Sequence, residues 1–326
     1  MLNRTCLITG GSGFIGTHLI KYLLSEKKYQ RIYVLDLTPP AIKDERIVFT
    51  KCDIRKPIHL KLEDTDFVCY HLAALSKDPG YDWDEYFYTN YVGTLNLIEF
   101  AERSRVNNIV FTSTMMVYRA GDERMSELSM TAPDTAYGIS KLVAEYSLRC
   151  WANKSSKRRL RLVRAAVVFG KGENGNFTRL YKALKSRRFF YVGRPETVKS
   201  CIYVKDVVRF LEFLTDDSAE TLVYNMAYPY PTTVETLCKT FFEVFCFKRL
   251  VPTVPYRLAL IVSYFFEWLT SMKVFKSDVH HRRIQKLYFS TNISVDEMKR
   301  SGFELCYSLP EALEDWKKDC APDDIY

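Results

Sequence analysis

Residues Gly10–Gly16 (G-G-S-G-F-I-G) set three glycines, Gly10, Gly13 and Gly16, three residues apart. An apolar run, Cys6–Thr9, precedes them, and a stretch of helical spacing, Phe14–Leu24, begins among them. A strand, a tight turn and a helix in that order leave the first N–H groups of the helix unpaired, with the positive end of its dipole beside them. Glycines at the turn let a phosphate or a second backbone come close. The spacing predicts a βαβ unit that holds a dinucleotide pyrophosphate, with Gly10, Gly13, Phe14, Ile15 and Gly16 around it.

The next apolar run, Ile32–Leu35, ends in Asp36, twenty residues past Gly16. A carboxylate there accepts hydrogen bonds from both hydroxyls of an adenosine ribose and repels a 2′-phosphate. Leu37, Thr38, Pro39 and Pro40 follow with no Arg, so NAD(H) is expected in preference to NADP(H). Further strand-length runs, Ile47–Cys52, Phe67–Leu72, Ile109–Thr112 and Leu160–Val163, alternate with helical stretches at Glu85–Arg103 and Ala136–Cys150. That rhythm predicts an α/β fold with a doubly wound parallel (Rossmann) sheet. Asp53 and Ile54 are expected to flank the adenine. Leu72 and Ala73 are expected where a strand end approaches the cofactor. After residue 170 the rhythm loosens. Residues 1–170 are expected to form an NAD(P)-binding domain. Residues 171–326 are expected to form a smaller, partly discontinuous substrate lobe, with segments near 200–228 returning to the main sheet.

Tyr137 and Lys141 lie four residues apart in Y-G-I-S-K, one helical turn, and so share a face. An ammonium beside a phenol favours phenolate. Such a pair next to a dinucleotide moves a proton at a C–OH/C=O centre, and the expectation is that Lys141 lowers the phenol from its usual value near 10. Thr114 comes just after the fifth strand run in T-S-T-M-M-V-Y, where its hydroxyl would orient the substrate oxygen.

Composition excludes several other classes. The net charge of +8 gathers in Lys154–Arg161, Lys185–Arg188 and His280–Arg283, with no nucleic-acid motif beside it, so solvated helix ends and an anionic small ligand are expected. Nine scattered Cys without a C-x-x-C predict a reduced, cytoplasmic protein with no metal site. The chain runs from its first residues into the strand and glycine turn, and no signal peptide is expected. Leu258–Leu269 is the most apolar late stretch. It is too short to span a bilayer and carries Glu267, so it is expected to cover a pocket or a subunit contact, with a membrane-surface contact as the alternative.

Taken together, these motifs resemble the extended branch of the short-chain dehydrogenase/reductase superfamily, the NAD-dependent epimerase/dehydratase family. The likeness covers essentially the whole chain. Asn90, Gly93 and Thr94 match its N-x-x-G-T stretch, and Ile202–Asp206 (I-Y-V-K-D) a later landmark. The resemblance implies a Thr114–Tyr137–Lys141 triad, a nucleotide-sugar substrate and a homodimer. Three departures narrow it. Met115 and Met116 stand where sugar dehydratases carry an acid pair, and thioethers exchange no protons. Val167 stands where epimerases usually have the Asn of R-x-x-N. The run F-G-K-G-E-N-G-N-F, with Asn176, is similar to nucleotide-sugar 4-keto reductases of surface-polysaccharide (lipopolysaccharide, O-antigen) pathways. Lys199 lies where relatives place an Arg on the nucleotide diphosphate. The apolar walls Met115, Met116 and Val167 suit a 6-deoxy sugar. The first expectation is therefore an NAD(P)H-dependent reductase of a nucleotide-linked 4-keto-6-deoxy-hexose. A 4-epimerase with tightly held NAD is the second, a dehydrogenase of a hydrophobic alcohol the third, and a non-catalytic NAD-binding scaffold the fourth.

Overall fold

A computed structural model describes residues 4–62, 67–216, 222–247, 250–272, 281–321 and 325, apart from the side chains of 271, 282 and 283. His280 and the side chains of Arg282 and Arg283, part of one basic run, lie outside the described residues.

Seven strands form one parallel sheet in the spatial order Val223–Met226, Arg159–Ala165, Asn108–Thr114, Phe67–His71, Arg4–Thr9, Tyr29–Asp36, Ile47–Lys51. Alternate side chains point to opposite faces, and both faces are covered. Ile8, Val34 and Val110 pack under helices Phe14–Glu26 and Val204–Asp216 on one side, with Leu19, Ile20, Val207 and Leu211. Leu7, Leu35, Ile109 and Phe111 pack on the other side under Gly93–Arg103 and Ala136–Asn153, with Leu97, Phe100, Ala144 and Leu148. The fold class is the doubly wound one the alternation predicts.

The order of the strands fixes where a ligand sits. From the interior strand Arg4–Thr9 the chain winds outward through Tyr29–Asp36 and Ile47–Lys51. It then crosses back to Phe67–His71 on the other flank. The loops leaving Thr9 and His71 therefore diverge, and a crevice opens at their carboxyl ends.

Three two-stranded parallel pairs build the second layer: Val167–Phe169 with Cys201–Tyr203, Tyr191–Val192 with Thr253–Val254, and Gly121–Met125 with Thr291–Ile293. Most are two or three residues long, too short to show a period in sequence. The expected continuous helix Glu85–Arg103 is instead broken. Trp83–Tyr86 is α-helical, Phe87–Val92 widens into a π turn, and Gly93–Arg103 resumes the α-helix. Asn90 accounts for the detour, because its side chain is committed outside the helix. It accepts from Leu75 N (2.8 Å) and donates to Ser140 Oγ (2.9 Å).

Candidate active site

A cavity of about 850 Å³ runs along the carboxyl ends of the sheet strands. At one end the glycine turn is forced by sterics. Gly10 has φ +72°, and a Cβ there would lie 2.6 Å from Ala73 N; a Cβ on Gly16 would lie 2.4 Å from Gly10 O. The N–H groups opening helix Phe14–Glu26 have no helix carbonyl to meet and face an anion-sized space. Asp36 braces this turn, its carboxylate accepting from Ser12 N (2.9 Å) and Leu37 N (2.6 Å). Asp53 and Ile54 line the same end, and the Asp53 carboxylate is held by Arg55 (2.8 Å), which lowers its pKa. Leu72 and Ala73 form the floor where Leu72 N donates to Thr9 O (3.0 Å).

At the other end, helix Ala136–Asn153 is started by Thr135, whose hydroxyl accepts from Gly138 N (3.1 Å). Gly138 is what lets this helix reach the sheet edge, since a Cβ there would sit 2.3 Å from Met116 O. The contact seats Tyr137 on the cavity wall with Thr114, whose hydroxyl accepts from Met116 N (3.2 Å) and lies near enough to lower the phenol's pKa. Lys141, buried on the same helix, lays its amine 3.9 Å from the centroid of the Phe111 ring.

The electrostatics differ from the expectation that Lys141 lowers the phenol. Burial pushes the Tyr137 hydroxyl up to about 12, against a smaller lowering by Thr114. Burial likewise pulls the Lys141 amine down to about 7, with Glu145 opposing. Both groups are shifted toward their neutral forms by the same dry pocket, and the cation faces an aromatic ring.

A buried polar chain ties these parts together. Thr94 Oγ1 donates to Asn90 O (2.6 Å), so it accepts from His71 Nε2 (2.9 Å), and His71 Nδ1 then accepts from Thr9 Oγ1 (2.7 Å). Burial, and then Lys141, hold this imidazole well below its ordinary pKa and thus neutral. Asn90 continues the chain to Ser140, whose hydroxyl donates to Tyr137 O (2.9 Å). The cofactor-turn strand and the Tyr137 helix are therefore linked through buried side chains and the backbone carbonyls of Asn90 and Tyr137.

Met115, Met116, Val167 and Asn176 lie on the cavity wall with the residues above. Lys199 does not. Its amine donates to Lys286 O (2.5 Å) and to Phe289 O, capping the carboxyl end of helix His281–Tyr288, so the expected diphosphate contact is corrected. Lys286 lines the cavity instead, with its amine 2.8 Å from Asp78 Oδ2, and Arg179 lines it one turn after Asn176. Neither residue stands in a recognisable motif. The helical spacing Asn176–Arg179 was the one available signal for Arg179. Thr112 also lines the wall, and its buried Oγ1 has no hydrogen-bond partner among the described residues.

The sequence profile of the NAD dependent epimerase/dehydratase family matches residues 6–227. The chain belongs to that family. A relative from Escherichia coli O157:H7, N-acetyl-alpha-D-glucosaminyl-diphospho-ditrans,octacis-undecaprenol 4-epimerase, is 28% identical over 96% of this chain and 94% of its own. GDP-6-deoxy-D-talose 4-dehydrogenase of Aggregatibacter actinomycetemcomitans is 27% identical over 72% of this chain and 79% of its own. The fold is shared with UDP-glucuronic acid 4-epimerase from Bacillus cereus, solved in complex with NAD. That likeness has a TM-score of 0.73 and 19% identity over 97% of this chain and 99% of that one. In this chain the thioethers Met115 and Met116 directly follow Thr114.

Proposed function

We propose that the protein exchanges hydride and proton at C4 of a hexose carried on a diphosphate, and that the overall reaction is 4-epimerisation with NAD retained through the cycle. The observation that carries the reading is that Thr114, Tyr137 and Lys141 line the same cavity whose far end is the Gly10–Gly16 turn and Asp36. The glycine turn fits a pyrophosphate, Asp36 an adenosine ribose, and Tyr137 with Lys141 the second ribose. Bound NAD would supply reversible storage of one hydride.

The chain's own groups handle the proton and the fit. Tyr137 takes the proton of the C4 hydroxyl as the carbon is oxidised and returns it when the opposite face is reduced. Thr114 holds the C4 oxygen in line with the phenol. A protonated Lys141 favours the phenolate. Arg179 and Lys286 face the diphosphate. Elimination of water has no acid pair to drive it, because Met115 and Met116 occupy those positions. The E. coli relative is named for a sugar on diphospho-undecaprenol and the Aggregatibacter one for a sugar on GDP. The near-complete coverage of the E. coli 4-epimerase favours epimerisation over net reduction.

The test is to denature purified protein and assay released NAD, then follow UDP-N-acetylglucosamine and UDP-glucose by NMR without added cofactor. Interconversion of C4 epimers is expected. A second reading, reduction of a 4-keto-6-deoxy sugar, is favoured by the apolar Met115, Met116 and Val167, which accommodate a methyl better than a hydroxyl. Stoichiometric consumption of NADH with the keto sugar, and no epimerisation, would replace the first reading by the second.

A further inference from the structure

Helix Tyr256–Ser271 is built inside out. Leu258, Ile261, Val262, Phe265 and Trp268, continued by Met272, are each between 41% and 66% exposed. Their spacing of three and four residues puts them on one stripe, about 20 Å long at 1.5 Å per residue. The fully buried positions are small, Ala259 and Ser263, the bulkier Tyr256, Leu260, Phe266 and Leu269 are only half-buried, and Glu267, the helix's one carboxylate, meets His281 Nδ1 at 2.9 Å. A helix resting on its own protein core shows the reverse pattern, and an exposed apolar stripe of this size marks a surface that is covered in use.

The stripe has a cationic border. Arg257 is exposed at its amino end. Phe190 packs with the cluster that holds Ala259 of this helix, and the exposed Arg187 and Arg188 lie in the turn just before it. Large apolar side chains with an aromatic at interface depth and arginines at the edge are the composition of a helix lying in the plane of a lipid interface. The stripe is also joined to the cavity. Tyr256 stacks on Tyr288 with centroids 4.0 Å apart, the exposed Phe289 follows, and Lys286 of that same helix lines the cavity. Among the described residues no helix is long and apolar enough to cross a membrane.

We propose that this stripe seats the protein on an anionic phospholipid bilayer, with the cavity mouth alongside, and that the hexose diphosphate it takes is anchored in that bilayer by a lipid tail. The identity of the substrate rests on the C4 reading above; the docking does not. A soluble nucleotide sugar needs no such surface.

The experiment is flotation of the full chain with vesicles of phosphatidylglycerol and phosphatidylcholine, alongside vesicles of phosphatidylcholine alone. The wild type is expected to float with the anionic vesicles and at least fivefold less with the neutral ones. Ile261→Ser/Phe265→Ser/Trp268→Ser is expected to stay behind with an unchanged thermal midpoint. Leu128→Ser, at an exposed apolar position away from the stripe, is expected to float as wild type does. Failure of the wild type to float overturns the proposal. So does a triple variant that still floats but passes from dimer to monomer in light scattering, which would make a second copy the occupant. Epimerisation of soluble nucleotide sugars without flotation leaves the C4 reading and sinks the docking. Flotation with no C4 turnover on nucleotide- or polyprenol-linked N-acetylglucosamine does the opposite.

Discussion

Arg164 Nη2 and Glu145 Oε2 meet at 2.7 Å with side chains 3% and 1% exposed, one helical turn beyond Lys141. Ser113 donates to the same carboxylate, and Arg164 Nη1 donates to the Tyr118 hydroxyl (2.8 Å), which donates in turn to Asn225 (2.9 Å). One ion pair thus fastens the Tyr137 helix to three adjacent strands. Removing one partner leaves a buried charge unpaired. Glu145→Ala is expected to cost about 3–5 kcal/mol in urea unfolding, whereas replacing both partners with apolar residues costs less. Equal losses for the single and double variants would show that the pair is not coupled.

Tyr137→Phe keeps the ring, which lies 6.3 Å from the Tyr86 centroid, and removes the hydroxyl that shares the cavity wall with Thr114. Turnover is expected to fall about 10²–10⁴-fold, as for loss of a general acid–base group. NAD affinity, measured by calorimetry, should change by less than roughly tenfold, since one neutral hydrogen bond is worth about 1 kcal/mol. Full activity in this variant would remove the phenol from the chemistry.

The sheet was readable because buried parallel strands are continuous apolar runs, and Cys6–Thr9, Ile32–Leu35 and Phe67–Leu72 are such runs. The cofactor turn was readable because its glycines answer a local steric demand, as the 2.4 Å approach at Gly16 shows. Local demands leave local signatures. The Lys199 contact was misplaced for the opposite reason: which lysine reaches the cavity depends on how helix His281–Tyr288 folds back, some ninety residues later. The π turn at Phe87–Val92 was hidden because its cause, Asn90 reaching Ser140 across fifty residues, is tertiary. The outward stripe on Tyr256–Ser271 shows the limit of periodicity. Spacing says that a face is apolar but not which way it points.

Asp36 accepts from the backbone at Ser12 and Leu37 and lines the cofactor end of the cavity. Asp36→Asn is expected to weaken NAD binding by roughly 10–100-fold, the loss of a charged hydrogen-bond acceptor worth about 1.5–3 kcal/mol. Discrimination against NADP should relax at the same time, because the repelling charge is gone. Calorimetry with both cofactors checks this; an unchanged preference would place the selectivity elsewhere.

Lys199 and Lys286 give opposite expectations although they touch. Lys199→Met removes a cap from the carboxyl end of helix His281–Tyr288 and should lower stability by about 1–2 kcal/mol, with KM within about twofold of wild type. Lys286→Met takes a cation off the cavity wall and should raise KM for a diphosphate-linked sugar about tenfold, with a smaller effect on stability. The reverse pattern would restore Lys199 as the diphosphate contact.

Lys141 makes stability depend on pH in a direction that isolates it. Its amine titrates near 7 in the folded chain because burial disfavours the cation, and near 10.4 when unfolded. Between those values the unfolded state holds the extra proton, so unfolding free energy rises as pH increases from about 7 to about 10, by up to roughly 1.4 kcal/mol per pH unit. Lys199, also lowered to about 7 by burial, adds to the same window. The difference between wild type and Lys141→Met removes that contribution. Above pH 10 the trend reverses, since the Tyr137 phenol, raised to about 12, keeps in the folded state a proton that the unfolded chain loses. Urea titrations at half-unit intervals from pH 6.5 to 10 should show wild type gaining on Lys141→Met throughout. A flat difference would mean that the amine stays charged in the folded protein, with Glu145 and the Phe111 ring outweighing its burial.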